Sequence, residues 1–231
     1  GIESYSPVLD KDLEDIRFFD AGDLDLPIGN REACLAMIKT AAQDIIKSGK
    51  RWMGLGGEHL ATLPAFEAHY EKYPDICIVH FDAHADLRDN YLGEKLSHAC
   101  VIRRCSDLMN NPKKLMQIGI RSGPREEFHW MREHKTLMPN PETLAKQLKE
   151  LGSPPVYLTI DLDVFDPALF PGTGTPEPGG MFFPEFYQWL NVIAQHNVVG
   201  ADIMELSPQY HTSGVSSVVA AKTLRECLLA L

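Results

Sequence analysis

Three side chains that can bind metal ions follow one apolar segment at alternate positions. Asp82, His84 and Asp86 stand in the sequence FDAHAD, directly after the residues ICIVH. Because successive side chains of an extended backbone point to opposite sides, residues two apart face the same way. Like charges that are crowded together need a counter-ion, so the three residues predict a metal site rather than a solvated loop.

A second group of carboxylates repeats this arrangement. Asp161 and Asp163 stand two residues apart in LTIDLDV, again at the end of an apolar segment. Asp166 is out of phase with them and precedes Pro167, which favours a turn. Alone, Asp161 and Asp163 would suit helix capping equally well. Beside the first group, metal binding is the stronger interpretation.

His59 is a third contributor, at the end of the sequence GLGGEH. Two glycines after an apolar segment allow a tight bend, and His59 would then project from the same edge of a sheet. GGEH alone is a weak signal, since a histidine at a helix start is equally compatible with it. The segment lacks the Lys-Ser/Thr ending of a P-loop, which excludes a phosphate-binding loop of that type.

Charge balance predicts two metal ions. Four carboxylates carry four negative charges, whereas a single divalent ion would leave two of them unbalanced in a desolvated cleft. A set rich in carboxylates, with two histidines and no thiolate, favours Mn²⁺ over structural Zn²⁺; Zn²⁺, Fe²⁺ and Co²⁺ are also compatible. Because a two-metal site lowers the pKa of a bound water molecule, the predicted chemistry is metal-assisted hydrolysis.

The elements that must position these residues alternate along the chain. Apolar segments typical of strands are Trp52–Leu55, Ile76–Phe81, Met116–Ile120, Val156–Ile160 and Val198–Ile203. Segments with helical spacing are Glu32–Lys47, Leu60–Tyr73, Ser97–Leu108, Glu126–His134, Glu142–Leu151, Pro184–Gln195 and Ser217–Leu229. This alternation predicts one α/β domain over 1–231, an open, mostly parallel sheet with helices on both faces. Ligands bind beyond the carboxyl ends of such strands, where the candidate metal ligands lie.

Composition excludes several classes of partner. The 231 residues are 44% hydrophobic and 23% charged, as in ordinary globular proteins. A net charge of -10 argues against nucleic acid and suits a small cationic partner. No apolar run approaches the ~20 residues that span a bilayer, so no membrane is expected. Five scattered cysteines and the absence of a secretory signal after GIESYSP favour the cytoplasm.

Taken together, the motifs resemble those of the ureohydrolases, the arginase and agmatinase family that cleaves guanidino compounds to urea and an amine. The motifs are GGEH, FDAHAD, Ser97-His98, IDLDVFDP and Asp202-Ile203-Met204-Glu205, in that order. DLRDNYLGEKLSHA, QIGIRSG and PGTGTPEPGG look most like the agmatinase branch. The resemblance covers essentially the whole chain. It implies an arginase-like three-layer α/β/α fold and conversion of agmatine to putrescine and urea, a step of polyamine biosynthesis.

The resemblance also implies roles for individual residues. One Mn²⁺ would be bound by His59, Asp82, Asp86 and Asp161, and the other by Asp82, His84, Asp161 and Asp163. Asp86 would orient the hydroxide and pass a proton toward the leaving nitrogen. His98 would shuttle protons near the substrate, and Glu205 would hold the guanidinium through two hydrogen bonds. A homo-oligomer, either a trimer or a hexamer, is the implied assembly.

Several departures from the family pattern leave alternatives open. A strand and a loop usually precede the part that matches Gly1–Pro7, and this sequence lacks them. Glu58 replaces the usual Asp, a change expected to alter the orientation of His59. The alternatives are a guanidinobutyrase, an arginase, a non-catalytic metal-binding relative, and a two-metal phosphoesterase. The last would need cationic phosphate clamps, and the loops of the site offer only Arg88 and Arg121. The remaining histidines receive no catalytic role: His69, His80, His129, His134, His196 and His211.

Overall fold

Five parallel strands form the centre of the computed structural model, which describes the chain from Gly1 to Leu231. The strands of the central sheet are β3 (Trp52–Leu55), β4 (Cys77–Phe81), β5 (Leu115–Ile118), β6 (Val156–Asp161) and β7 (Val198–Met204). A short antiparallel pair, β1 (Tyr5–Ser6) and β2 (Lys11–Asp12), precedes them. The helices are α1 (Arg31–Lys47), α2 (Thr62–Lys72), α3 (Val101–Met109), α4 (Arg125–His134), α5 (Pro141–Glu150), α6 (Phe183–Ile193) and α7 (Val215–Ala230).

Strand pairing brings the carboxyl ends of the five strands to one edge of the sheet. The order is β3-β7-β6-β4-β5, and every neighbouring pair is parallel. In the register, His80 of β4 lies opposite Thr159 of β6, and Thr159 lies opposite Asp202 of β7. Three polar residues therefore form a row across the buried centre of an otherwise apolar sheet. In this row, His80 and Thr159 lie two residues before the candidate metal ligands Asp82 and Asp161.

Side-chain alternation along the strands creates two hydrophobic cores. On one face, Ile78 and Tyr157 belong to a cluster that includes Ile38, Phe66, Ile102 and Met131 of α1 to α4. On the other face, Val79 and Leu158 belong to a cluster that includes Leu144, Leu190 and Cys227 of α5 to α7. Both faces of the sheet are thus covered by helices, which explains why the sequences of the strands are continuously apolar. The predicted α/β architecture is confirmed.

The structure corrects two element boundaries near the site. The strand predicted over Met116–Ile120 ends at Ile118, because Gly119 turns the chain with a φ of 91°. A Cβ atom at Gly119 would lie 3.0 Å from the Asp82 carbonyl oxygen, so only glycine fits there. The helix predicted over Ser97–Leu108 begins at Val101, after a 3₁₀ turn over His98–Cys100. His98 therefore lies on a turn that precedes the helix.

None of the helices has the combination of length and apolar character that crossing a membrane would require. All five cysteines have free thiols, and four of them are buried.

Candidate metal centre and active site

Turns at the strand ends carry the candidate ligands to one place. His59 opens a 3₁₀ turn shortly after β3, Asp82 directly follows β4, and Asp161 is the last residue of β6. A Cβ atom at Gly56 would lie 2.1 Å from the Met204 sulfur, so a side chain there would have to displace that methionine. The chain bends at Gly57 and Glu58, as the glycines of GGEH predict, and His59 follows at the edge of the sheet.

Three carboxylates surround one ring nitrogen of His59. Its Nδ1 lies 3.3 Å from an Asp82 oxygen and 3.2 Å from an oxygen of each of Asp86 and Asp161. This nitrogen is buried and has no hydrogen-bond partner of its own. The other ring nitrogen, Nε2, lies 2.9 Å from the Thr159 hydroxyl, which fixes the plane of the ring. A buried nitrogen that faces three carboxylate oxygens is the arrangement of a metal-ligating histidine.

A second group adjoins the first through Asp82. The His84 Nδ1 lies 3.0 Å from an Asp163 oxygen and 3.5 Å from the Asp82 oxygen that the first group does not use. Backbone amides hold these carboxylates in place: the Ala83 N–H donates to Asp163, and the Asp163 N–H donates to Asp161. Asp82 thus offers one oxygen to each group.

Charge and burial indicate that the site fits divalent cations. Asp82, Asp86, Asp161 and Asp163 are at most 7% exposed, and each of their ion pairs involves a histidine. Burial, followed by the charges of Asp163 and Asp82, raises the pKa of Asp161 well above its ordinary value. Burial and the Asp82 charge likewise raise the pKa of Asp86 and of Asp163. Bound cations would relieve this mutual repulsion.

Glu205 and Asp86 hold backbone conformations that side-chain-bearing residues rarely adopt. Their φ angles are 65° and 53°. Such conformations cost about 1–3 kcal/mol each and concentrate at functional sites. The turn after β7 directs the Glu205 carboxylate to the His59 backbone N–H, which donates to Oε1 at 2.7 Å. One carboxylate oxygen, Oε2, has no such partner in the protein. Glu205 therefore borders the metal-ligand cluster with a free oxygen.

His98 lies at the exposed rim of the site and pairs with Glu58. The Glu58 Oε1 accepts the His98 backbone N–H at 2.9 Å and lies 3.3 Å from its Nδ1. The sequence predicted an effect of Glu58 on His59; the structure adds a direct contact of the Glu58 carboxylate with the imidazole of His98. Because the carboxylate stabilises the imidazolium, it raises the pKa of His98 above the ordinary 6.5, and the charge of Asp86 acts in the same direction.

Arg121 and Arg88 are both engaged within the protein. The five N–H donors of the Arg121 guanidinium lie within hydrogen-bond distance of five backbone carbonyls, those of Gly119, Asp163, Val164, Phe165 and Glu177. Arg88 stacks over the Tyr91 ring at 5.1 Å, and that ring meets His98 edge-on. Neither side chain forms the cationic phosphate clamp that a phosphoesterase would need, so the structure favours a different hydrolase class.

Comparison with known proteins agrees with the geometry. The family model of the arginase family matches residues 1–230. The chain belongs to the arginase family. An agmatinase from Bacillus subtilis is 47% identical over an alignment of 234 positions, which covers 99% of this chain and 80% of that relative. A guanidinobutyrase from Pseudomonas aeruginosa is 33% identical, and the alignment covers 95% of this chain and 72% of that relative.

A solved arginase-family structure supports the fold throughout. It comes from Clostridium difficile, carries a provisional agmatinase assignment, and is 48% identical to this chain. The TM-score is 0.93, with 100% of this chain and 85% of the other covered. Arginase-family proteins are metal-dependent hydrolases of guanidino C–N bonds, and this chain has a cluster of His and Asp side chains that could hold metal ions.

In this arginase-family chain, all eight predicted site residues lie at the same edge of the sheet. Asp166, predicted to serve a turn, accepts the backbone N–H groups of Ala168, Gly179 and Gly180, as a turn residue does. Sequence reasoning missed His80 and Thr159, whose side chains contact Asp82 and His59. The available signal was their position on buried strands, two residues before Asp82 and Asp161, which points them toward the same side.

Replacing Glu58 by Gln is expected to lower the pKa of His98, because the carboxylate that stabilises its imidazolium is lost. The proton NMR signals of the His98 ring, followed over a pH titration, measure this directly. Any limb of the pH–activity profile that reports His98 should move to lower pH in the same direction. Glu58→Asp is the matched control, since it keeps the charge. An unchanged His98 titration in E58Q would show that the pair is absent in solution.

Proposed function

We propose that this arginase-family chain is an agmatinase, which hydrolyses agmatine to putrescine and urea. The observation that carries the proposal is the position of the Glu205 carboxylate. It lies 2.7 Å from the His59 N–H, beside four buried carboxylates, and keeps one oxygen free. A carboxylate with a free oxygen suits a planar cationic guanidinium, which offers parallel N–H donors. The substrate carbon would then lie next to the metal centre.

The six residues of the cluster divide into two sets of ligands in this proposal. His59, Asp82, Asp86 and Asp161 would hold one ion, and Asp82, His84, Asp161 and Asp163 would hold the other. Mn²⁺ in both positions agrees with the donor chemistry, since carboxylates predominate and thiolates are absent. When bound, the two ions supply an activated water molecule as the nucleophile.

The protein's own groups bind the substrate and manage its protons. Glu205 accepts hydrogen bonds from the guanidinium and fixes its plane. Asp86, whose Oδ2 lies 3.2 Å from His59 Nδ1 in the ligand cluster, would accept a proton from the attacking water and deliver it to the leaving nitrogen. His98, which is half exposed at the rim, exchanges protons with solvent and carries them to the departing amine.

The negative charge of the protein around the far end of the substrate favours agmatine among the ω-guanidino compounds. Agmatine ends in a cationic amine, and the rim carries the half-exposed carboxylate of Glu58 on a chain with a net charge of -10. The more similar relative is the agmatinase, at 47% identity against 33% for the guanidinobutyrase. Arginine adds a carboxylate at the far end, which this rim would repel.

Urea release by Mn²⁺-loaded protein tests the proposal. Agmatine, 4-guanidinobutyrate and arginine are compared at equal concentrations, with bound metal measured in the same samples. We expect kcat/KM for agmatine to exceed the others by at least about 100-fold, the separation that unpaired polar groups in a specific site can produce. Preference for 4-guanidinobutyrate would reassign the substrate. No urea from any compound, with two metals bound, would support the non-catalytic alternative.

The finer features of the enzyme remain predictions of this proposal. Two Mn²⁺ ions per subunit, a cytoplasmic location and a homo-oligomer that is a trimer or a hexamer belong to it. So does a role in polyamine biosynthesis through putrescine. Metal analysis of protein purified from its own cells and sedimentation of the purified chain would test the first and third.

A further inference from the structure

We infer that His80 is a positioning residue that holds the shared carboxylate of Asp82 through a fixed Nε2–H donor. His80 lies on β4 and is fully buried. Its Nε2 lies 2.8 Å from the Asp82 Oδ2, the same oxygen that faces His59. The inference rests on the proposed metal site but not on the identity of the substrate.

The hydrogen-bond partners of Gln117 determine which nitrogen of His80 carries the hydrogen. The Gln117 side-chain nitrogen lies 3.0 Å from the Ala85 carbonyl oxygen, and a carbonyl can only accept. That atom is therefore the NH₂ group, and the Thr136 hydroxyl donates to the other end of the amide at 2.9 Å. The orientation of the Gln117 amide thus follows from its neighbours rather than from a choice between equivalent flips.

The same NH₂ group fixes the tautomer of His80. It lies 3.3 Å from the His80 Nδ1, so Nδ1 must accept and cannot carry a hydrogen. The remaining form of the ring carries its hydrogen on Nε2, which then donates to Asp82. A nitrogen that carries a hydrogen has no lone pair for a metal ion, so His80 is not a ligand, although its ring borders the cluster.

This donor prevents rotation of the Asp82 carboxylate. Its Oδ2 is held by His80, and its Oδ1 accepts the His84 backbone N–H. Each oxygen is thereby directed to a different group of ligands. Partners of this kind typically change metal affinity by about 10–100-fold when they are removed.

Two variants of His80 distinguish loss of the Nε2–H donor from loss of the volume of the imidazole ring. Gln places an NH₂ group near the position of Nε2, whereas Asn places one near the position of Nδ1. We expect H80N to bind Mn²⁺ about 10–100-fold more weakly than the unmodified chain, by calorimetric titration with the metal alone. H80Q should recover most of this affinity. The same two changes at His69, a fully buried histidine that donates to Ala65, are the control and should leave affinity unchanged.

Affinity of H80N equal to that of the unmodified chain would overturn the inference, and so would equal losses in H80N and H80Q. If neither variant folds, ¹⁵N-histidine NMR of the unmodified chain tests the tautomer directly. The Nε2–H form is expected both without metal and with diamagnetic Zn²⁺; loss of that hydrogen on adding Zn²⁺ would identify His80 as a ligand instead. Because neither readout uses urea release, failure here is distinct from failure of the agmatinase proposal.

Discussion

Replacing Asp161 by Asn is expected to remove bound metal and to lower urea release by more than about 100-fold. Asp161 is the carboxylate that we propose both metal ions share, and one of its oxygens lies 3.2 Å from the His59 Nδ1. Removing a residue that only hydrogen-bonds to a metal ligand lowers metal affinity or activity by about 10–100-fold. Removing a ligand that two metal ions share should therefore have a larger effect. Metal stoichiometry after dialysis and initial rates of urea release measure the two effects together.

Asp166→Asn is the matched control for this experiment. It lies in the same IDLDVFDP segment but accepts only backbone N–H groups of the following loop. Metal stoichiometry should therefore be unchanged in D166N. If D161N retained the full metal content of the unmodified chain, the assignment of Asp161 as a shared ligand would be wrong.

Replacing Glu205 by Gln is expected to leave the metal bound while kcat/KM for agmatine falls by about 100-fold or more. A hydrogen bond to a charged group contributes about 1.5–3 kcal/mol, and the guanidinium would make two. Glu205 is partly exposed, and its Oε1 already accepts the His59 N–H, so the lower end of that range applies. Steady-state kinetics with agmatine, alongside metal analysis, distinguish lost recognition from lost metal.

Glu94→Gln is a suitable control for the charge change. The exposed Glu94 side chain pairs with Arg31 and forms no ion pair with a candidate metal ligand. E94Q should retain both turnover and metal. Wild-type kinetics in E205Q would reject the guanidinium-binding role, and a parallel loss of metal would instead make Glu205 a support for His59.

The sequence was sufficient to predict the strands and to place the candidate metal ligands at their ends, because both depend on local patterns. Asp82, His84 and Asp86 alternate on extended chain, and Asp161 and Asp163 repeat the spacing, so strand ends and ligands could be predicted together. Continuous apolar runs likewise indicated a sheet that is buried on both faces.

Contacts between distant segments could not be predicted in this way. Glu58 and His98 are 40 residues apart and meet only because the turns after β3 and before α3 converge. His80 was passed over for the same reason, since its partner Gln117 comes from β5. The contact of Glu58 with His98 was missed because adjacency in sequence says little about which way a side chain turns.

The hydrogen bonds of the Arg121 guanidinium to five backbone carbonyls affect how this region unfolds locally. They tie the end of β5, the turn over Asp163–Phe165 and the loop at Glu177 to one side chain. Detachment of any one of the three segments breaks hydrogen bonds to the Arg121 guanidinium. We therefore expect local unfolding to involve them as one cooperative unit. We expect the loop at Glu177 to be protected from hydrogen exchange together with the end of the sheet. Amides on all three segments should then exchange at a common rate.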